Sequence, residues 1–295
     1  MHKNNNFSES CKRNFIYWLS KLLKNISPEV GKKLSTKLIF TPRRPSSHWP
    51  KKVKQHQVNT RCGRLPVYQY GSGQQVWLLH GWSRCAYDLW PLMERLAERG
   101  YACTTFDFPA HGQSAGEQSS LPQMIKAFDD IANSHTKPDL VITQSMAASV
   151  VANSSWFKHF QGNLLMVSPV LNCYEYLLRR IKQIGLDQEL FDQAIHEIYR
   201  NEHMFIPALS ALPKLKKFSG QLKIVQSKHD VDAPIAQSKA LSKTLGARLF
   251  TTNNATQHKI LRSNSLLKIV ESYSELSSEN DNLPWYDLSQ TRESI

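Results

Sequence analysis

Nothing in these 295 residues stays apolar for long enough to span a bilayer. The five cysteines (Cys11, Cys62, Cys85, Cys103 and Cys173) are odd in number and scattered, with no C-x-x-C and no zinc-like spacing. That excludes a disulfide framework and fits a reduced, cytoplasmic setting. No secretory leader is expected, because the short apolar stretch 15–19 runs into Lys21 and Lys24 rather than a small-residue cleavage site. The sequon Asn254-Ala255-Thr256 therefore carries little weight. His196-Glu197 and His203 do not make a zinc motif: H-E-x-x-H needs histidine at 200, where Arg200 stands. Gly71-x-Gly73 reads as a turn, not a nucleotide fingerprint. No metal and no cofactor are expected, and no internal repeat is visible. Acids are missing from one end: residues 1–64 hold 15 Lys/Arg against Glu9 and Glu29, a net of +13, whereas the remainder holds 22 of each sign. A neutral body thus carries a basic arm; the body has no charge bias toward an anionic partner, and the arm does.

What is present is an ordinary globular composition, 41% hydrophobic and 21% charged, enough to bury a large core. Residues 1–10 are polar and read as disordered. From 12 to 26 the pattern is helical, with Phe15, Trp18, Leu19, Leu22, Leu23 and Ile26 on one stripe. Ser27-Pro28-Glu29 reads as an N-cap with proline in the first turn of a second helix. Thr41-Pro42-Arg43-Arg44-Pro45 ends that helix and reads as a linker. The arm's stripe has three readings: packing on the body, lying on an anionic membrane surface, or binding nucleic acid, the last unsupported by any binding motif.

Beyond the linker, strands alternate with helices. Residues 53–58 and 65–70 read as a hairpin turning at Cys62-Gly63. Strands follow at 76–79, 102–106, 140–142, 164–167, 222–225 and 247–250, with helices at 89–99, 122–134, 235–245 and 261–273. Residues 171–217 carry no strand signal and read as a helical insert. This alternation argues for a doubly wound, mostly parallel sheet with a helical lid and an N-terminal helical arm. The domain reading is an arm at 1–47, a core at 48–168 and 218–276, a cap at 169–217, and an acidic tail at 277–295, frayed or packed on the body.

Four segments carry the chemistry, each just past the C-terminal end of a strand, where open α/β sheets bind ligands. They are Leu79-His80-Gly81-Trp82, the run from Phe106 to Ser114 (FDFPAHGQS), Gln144-Ser145-Met146, and Asp230 with Pro234 followed by His258. Their order and content resemble the α/β-hydrolase family over roughly residues 53–275. The resemblance implies Ser145 as nucleophile, His258 as base and Asp230 as acid, with Trp82 and Met146 supplying oxyanion-hole N–H groups. Asp232 is the rival acid; Asp230 is preferred for its Asp-x-x-x-Pro pattern. His229 is set aside as a neighbour pointing the other way along an extended chain. His80 and His111 read as loop braces. The elbow departs from the family's G-x-S-x-G, since Thr143 and Ala147 replace the glycines and Thr143 demands a shifted turn or a small neighbour. Pocket candidates are Gln144, Tyr174, Leu177 and Leu178, with Tyr176, Phe191 and Phe205 shared between an acyl pocket and the lid core.

The function implied is a serine hydrolase cleaving an ester or thioester through an acyl-enzyme, with a small acyl substrate that is lipid-like or membrane-proximal given the arm. Two rivals stand beside it: a non-catalytic hydrolase-fold module that binds a membrane or partner through the arm, and a carbon–carbon bond hydrolase using the same three residues.

Overall fold

The computed structural model describes residues 3–253, 256–273 and 285–287, with side chains for 13–253 and 256–273. Two helices come first, α1 (Lys3–Ile26) and α2 (Pro28–Phe40). Helix α1 starts well before the expected residue 12, so polar residues 3–10 extend the amphipathic helix instead of fraying from it. Strands β1 (Lys54–Thr60) and β2 (Gly63–Gly71) form the antiparallel hairpin, and Gly63 supplies the positive φ its turn requires. The chain continues as β3 (Gln74–Leu79), α3 (Trp90–Ala97), β4 (Tyr101–Phe106), α4 (Leu121–Ser134), β5 (Leu140–Gln144), α5 (Ala147–Asn153) and β6 (Asn163–Val167). The insert then contributes α6 (Cys173–Ile184), α7 (Gln188–Glu202) and the short α8 (Leu212–Leu215). The core resumes with β7 (Leu222–Ser227), α9 (Ile235–Leu245), β8 (Arg248–Thr252), α10 (Gln257–Arg262) and α11 (Asn264–Glu271). The helix read as continuous over 261–273 is thus two helices. Ser263 ends α10 in extended conformation and its hydroxyl caps α11 by accepting from Leu266 N–H at 3.1 Å.

The sheet order is β1-β2-β4-β3-β5-β6-β7-β8, antiparallel at β1–β2 and β2–β4 and parallel from β4 onward. Of the tail, only Trp285–Asp287 is described; it adds a ninth, parallel strand, β9, at the β8 edge. Residues 277–284 and 288–295 lie outside the described residues. Period-2 alternation splits each buried strand between two cores. Trp77, Leu79, Val141, Leu164 and Met166 enter the core shared with α4, α5 and the cap. Val76, Leu78, Leu140, Ile142, Leu165 and Val167 enter the core under α3, α10 and α11. Helices therefore cover both faces, and the loops at the strands' C-terminal ends share one edge.

The arm packs on the cap, α1 against α6 and α2 against α7. It does so with the side opposite its apolar stripe. Ser20 Oγ accepts from Asp187 N–H at 3.2 Å, Lys24 pairs with Glu189 at 2.8 Å, and Gly31 lies against Leu190. Phe15, Trp18 and Leu22 face solvent, so the reading that this stripe packs on the body does not hold. The segment after α2 is strapped down rather than free: Arg43 N–H donates to Ser83 Oγ at 3.1 Å, Arg44 Nε to the Ala110 carbonyl at 2.8 Å, and Gln113 to Ser47 Oγ at 2.9 Å.

Candidate active site

Strand β5 ends at Gln144, and the chain turns into α5 through Ser145, whose φ is +53°. A non-glycine residue there is strained by about 1–3 kcal/mol and persists only when its surroundings hold it. They do: Ser145 N–H donates to the Val167 carbonyl at 3.0 Å, and its carbonyl accepts from Val170 N–H at 3.0 Å and Ala148 N–H at 3.2 Å. The turn leaves Ser145 9% exposed, facing a cavity, with no hydrogen-bond partner for Oγ among the described residues. Thr143 fits at the cost of a buried hydroxyl left unpartnered, and the first turn of α5, Ala147-Ala148-Ser149, carries only small side chains. This is the small neighbourhood that a β-branched residue in place of glycine demands.

Gly81 lies directly against the elbow. A Cβ there would meet Ser145 Cβ at 2.9 Å and the Gln144 carbonyl at 3.2 Å, so the glycine is needed for close approach. Among the described residues, neither the Trp82 N–H beside it nor the Met146 N–H is taken by a main-chain carbonyl. His80 braces this loop. Its Nε2 accepts from Phe108 N–H at 3.1 Å while Nδ1–H donates to the Gly81 carbonyl at 2.8 Å, and full burial pushes its pKa down to about 4. His111 is likewise buried and pushed down to about 3, with Nδ1–H donating to the Pro109 carbonyl at 2.8 Å. Asp107 ties the two loops together, accepting from Ala86 N–H, Gln113 N–H and Tyr68 Oη; burial raises its pKa against those bonds.

Ser145, Asp230 and His258 all line one cavity of about 810 Å³, together with Gly81, Trp82 and Arg84. Shared walls are not yet a hydrogen-bonded row. His258 stands in the first turn of α10, and its Nε2 accepts from the Arg84 guanidinium at 2.5 Å. Burial first, and Arg84 second, lower its pKa. Asp230 Oδ1 accepts from Asp232 N–H at 3.0 Å and Ala233 N–H at 2.9 Å, while Oδ2 accepts from Gln257 at 3.1 Å. Gln257 in turn accepts from the Gln144 amide at 3.3 Å, and Gln144 accepts from Gly81 N–H at 3.4 Å. A chain of amides thus connects the loops after β3, β5, β7 and β8. Its two glutamines immediately precede Ser145 and His258, and adjacency to those residues was the only sequence signal for them.

Several expected pocket residues stand elsewhere. Gln144 is buried in the amide chain, Leu177 in the core, and Leu178 against it; Tyr174 packs its ring on Phe191 with centroids 5.6 Å apart. The α6 residues that do wall the cavity are Tyr176 and Arg180, one turn apart on a single face. His229 also lines it, because 228–229 is a turn rather than an extended strand. Among the described residues, no group of three His, Cys, Asp or Glu side chains could hold a metal, and no helix is long and apolar enough to cross a membrane.

No family model and no curated protein matches the chain. Solved structures do. An esterase from Pyrococcus furiosus aligns with 79% of this chain and 96% of its own at 19% identity and a TM-score of 0.59. The thioesterase domain from the curacin biosynthetic pathway aligns with 74% of this chain and 98% of its own at 16% identity and 0.54. An epoxide hydrolase from Vigna radiata aligns with 78% of this chain and 100% of its own at 12% identity and 0.53. At such identities the likeness is one of fold, and the fold is that of the α/β-hydrolases.

Proposed function

We propose that this chain, with its α/β-hydrolase fold, is a serine hydrolase that cleaves a carboxylic ester or thioester through an acyl-enzyme on Ser145. The observation that carries the reading is a serine held at φ +53° on a strand-to-helix turn, facing a cavity that Asp230 and His258 also line. A serine hydroxyl needs an adjacent base to attack at neutral pH. His258 has the right tautomer for it. Arg84 cannot accept a hydrogen bond, so the Nε2 it faces carries the lone pair and the proton sits on Nδ1. In the reaction, Nε2 exchanges Arg84 for Ser145 Oγ and takes its proton, while Asp230 exchanges Gln257 for Nδ1–H and stabilises the imidazolium. Both exchanges require movement from the contacts the side chains make now, and catalytic hydrogen bonds commonly tighten only in the substrate complex. Trp82 and Met146 N–H groups receive the developing oxyanion, each worth on the order of 3 kcal/mol to the transition state. His258 hands that proton to the departing alcohol or thiol as the tetrahedral intermediate collapses to the acyl-enzyme. Water then attacks the acyl carbon with His258 again as base, releasing the carboxylic acid and returning the proton to Ser145 Oγ.

An ester presented at a lipid surface is the substrate class the arm favours, because α1 packs on α6, the helix whose Tyr176 and Arg180 wall the cavity. The test is a p-nitrophenyl ester panel from acetate to decanoate with fluorophosphonate labelling. Wild type is expected to hydrolyse and label, and Ser145→Ala to lose both, by at least about 10³-fold in kcat. Labelling that survives Ser145→Ala removes the assignment. One observation favours a second reading, a non-catalytic binding module: His258 and Asp230 are engaged by Arg84 and Gln257 rather than by each other. A folded wild type inert to both reagents decides for that reading.

A further inference from the structure

The arm presents the largest unexplained feature of the surface. Phe15, Trp18, Leu22 and Ile26 on α1 and Val30, Leu34 and Leu38 on α2 follow one another at steps of three or four residues, on two helices that bend at Ser27 until Gly31 lies against Leu23. All seven are exposed, Phe15 and Trp18 at 67% and Ile26 at 73%. Single exposed apolar side chains need no explanation, but a continuous run of this kind marks an interaction surface. It is not a face waiting to close on the body. The side facing the cap is already engaged through Gly31 and through Ser20, Lys24 and Lys32, the last three lying two positions, or about 200° of helix, from Leu22, Ile26 and Val30 or Leu34.

We propose that the outer face of α1 and α2 docks flat on an anionic lipid surface. Charge selects this occupant. Lys21, Lys33 and Lys37 border the stripe, and none of them is in an ion pair among the described residues; Glu29 is the one acid in residues 13–44. A second copy seated on the same face would bring these cations against themselves. A bilayer with acidic headgroups instead takes the apolar side chains into its interface and the lysines at headgroup level, the division of labour of an interfacial helix. Tyr17 and Trp18 sit beneath the Lys21 ammonium, 4.8 and 5.9 Å from their ring centroids, placing aromatic rings and a cation together as such an interface favours. Since α1 rests on α6 and α2 on α7, docking would bring the cap to the membrane side of the molecule. The proposal stands on the arm alone and does not depend on the hydrolase reading.

The experiment is co-sedimentation of the full chain with sucrose-loaded vesicles, one set of pure phosphatidylcholine and one with phosphatidylglycerol as roughly a third of the lipid. Wild type and Ser145→Ala should both pellet with the anionic vesicles, at least about tenfold more strongly than with phosphatidylcholine. Trp18→Ser/Ile26→Ser should reduce that binding about tenfold or more without moving the thermal unfolding midpoint, since both side chains are exposed. Lys33→Glu/Lys37→Glu should weaken it selectively on anionic vesicles, as should high salt. Wild type left in the supernatant, or binding untouched by both double variants, overturns the proposal. So does a dimer by light scattering that Trp18→Ser/Ile26→Ser dissolves, because a second copy would then cover the stripe.

Discussion

Arg84 gives a guanidinium N–H to the one imidazole nitrogen that a serine proton would need. The contact leaves the proton of a neutral His258 on Nδ1, the tautomer the proposed mechanism needs, and together with burial favours the neutral ring, since both lower its pKa. Arg84→Leu removes one of those two causes. The His258 pKa should rise, and the acid limb of kcat/KM for a p-nitrophenyl ester should move to higher pH; an unmoved limb would mean that the group titrating there is not His258. Gly81 acts on the same serine by sterics. In Gly81→Ala the new methyl meets Ser145 Cβ at 2.9 Å, so the elbow or the oxyanion loop must shift. About 1–3 kcal/mol of stability and roughly 10²-fold in kcat should be lost, read by thermal unfolding and steady-state kinetics. Loss of stability alone, with kcat intact, would separate Gly81 from the site's geometry. The serine, the glycine and the aspartate loop were legible in the sequence because each stands beside a strand end with a recognisable neighbour pattern. Arg84 and Gln257 were not, and Gln144 was read as a pocket residue rather than as a link in the amide chain, since these roles depend on which loops meet in space, and no local pattern records that.

At the level of elements, apolar periodicity located the strands and most helices because each buries a face whose spacing repeats. It left the arm's stripe open among three readings for a physical reason. A stripe of large apolar residues shows that a helix has two faces, not which one meets protein. The face that meets the cap does so with Ser20, Gly31 and two lysine ion pairs, which carry little apolar signal. The same limit blurred the cavity wall: Tyr176 could be named only as shared between pocket and lid core, and Arg180 not at all, because the rotation of α6 about its own axis, which puts both in the wall, is set by long-range packing. The arm–cap joint has a test of its own. Gly185 ends α6 at φ +80°, and a Cβ there would run into the Arg13 carbonyl of α1. Gly185→Ala adds both a left-handed alanine, about 1–2 kcal/mol, and that collision. Hydrogen exchange should speed up in residues 13–26 while β3–β7 stay protected. Equal acceleration throughout would show that the arm and core open as one unit, and no change would show that α1 does not bear on Gly185.

Across the whole molecule, the C-terminal strand edges gather loops from β3, β4, β5, β7 and β8, and the buried histidines His80 and His111 sit at the centre of that assembly with ring centroids 5.2 Å apart. Both are held neutral by burial, at about 4 and about 3. In the unfolded chain each would bind its proton near pH 6.5. As pH falls below that value the unfolded state gains protons that the folded state refuses, so stability drops by about 1.4 kcal/mol per pH unit for each histidine, down to its folded pKa. Above pH 6.5 the effect vanishes. Asp107 works in the opposite direction, because its raised pKa lets the folded state take a proton first, and His258 adds to the histidine trend. A variant comparison isolates one group from these. His111 Nε2 is buried without a partner and its ring stands edge-on to Trp82, 5.1 Å between centroids, so His111→Phe keeps an aromatic ring in place while removing the titration. Urea unfolding at pH 7.5, 6.0 and 5.0 should show wild type losing stability steeply over the acid interval and His111→Phe losing about 1.4 kcal/mol per pH unit less, whatever its stability at pH 7.5. Parallel pH dependences in the two proteins would mean that His111 exchanges protons freely in the folded state, and that the loops over the serine are open to water rather than locked.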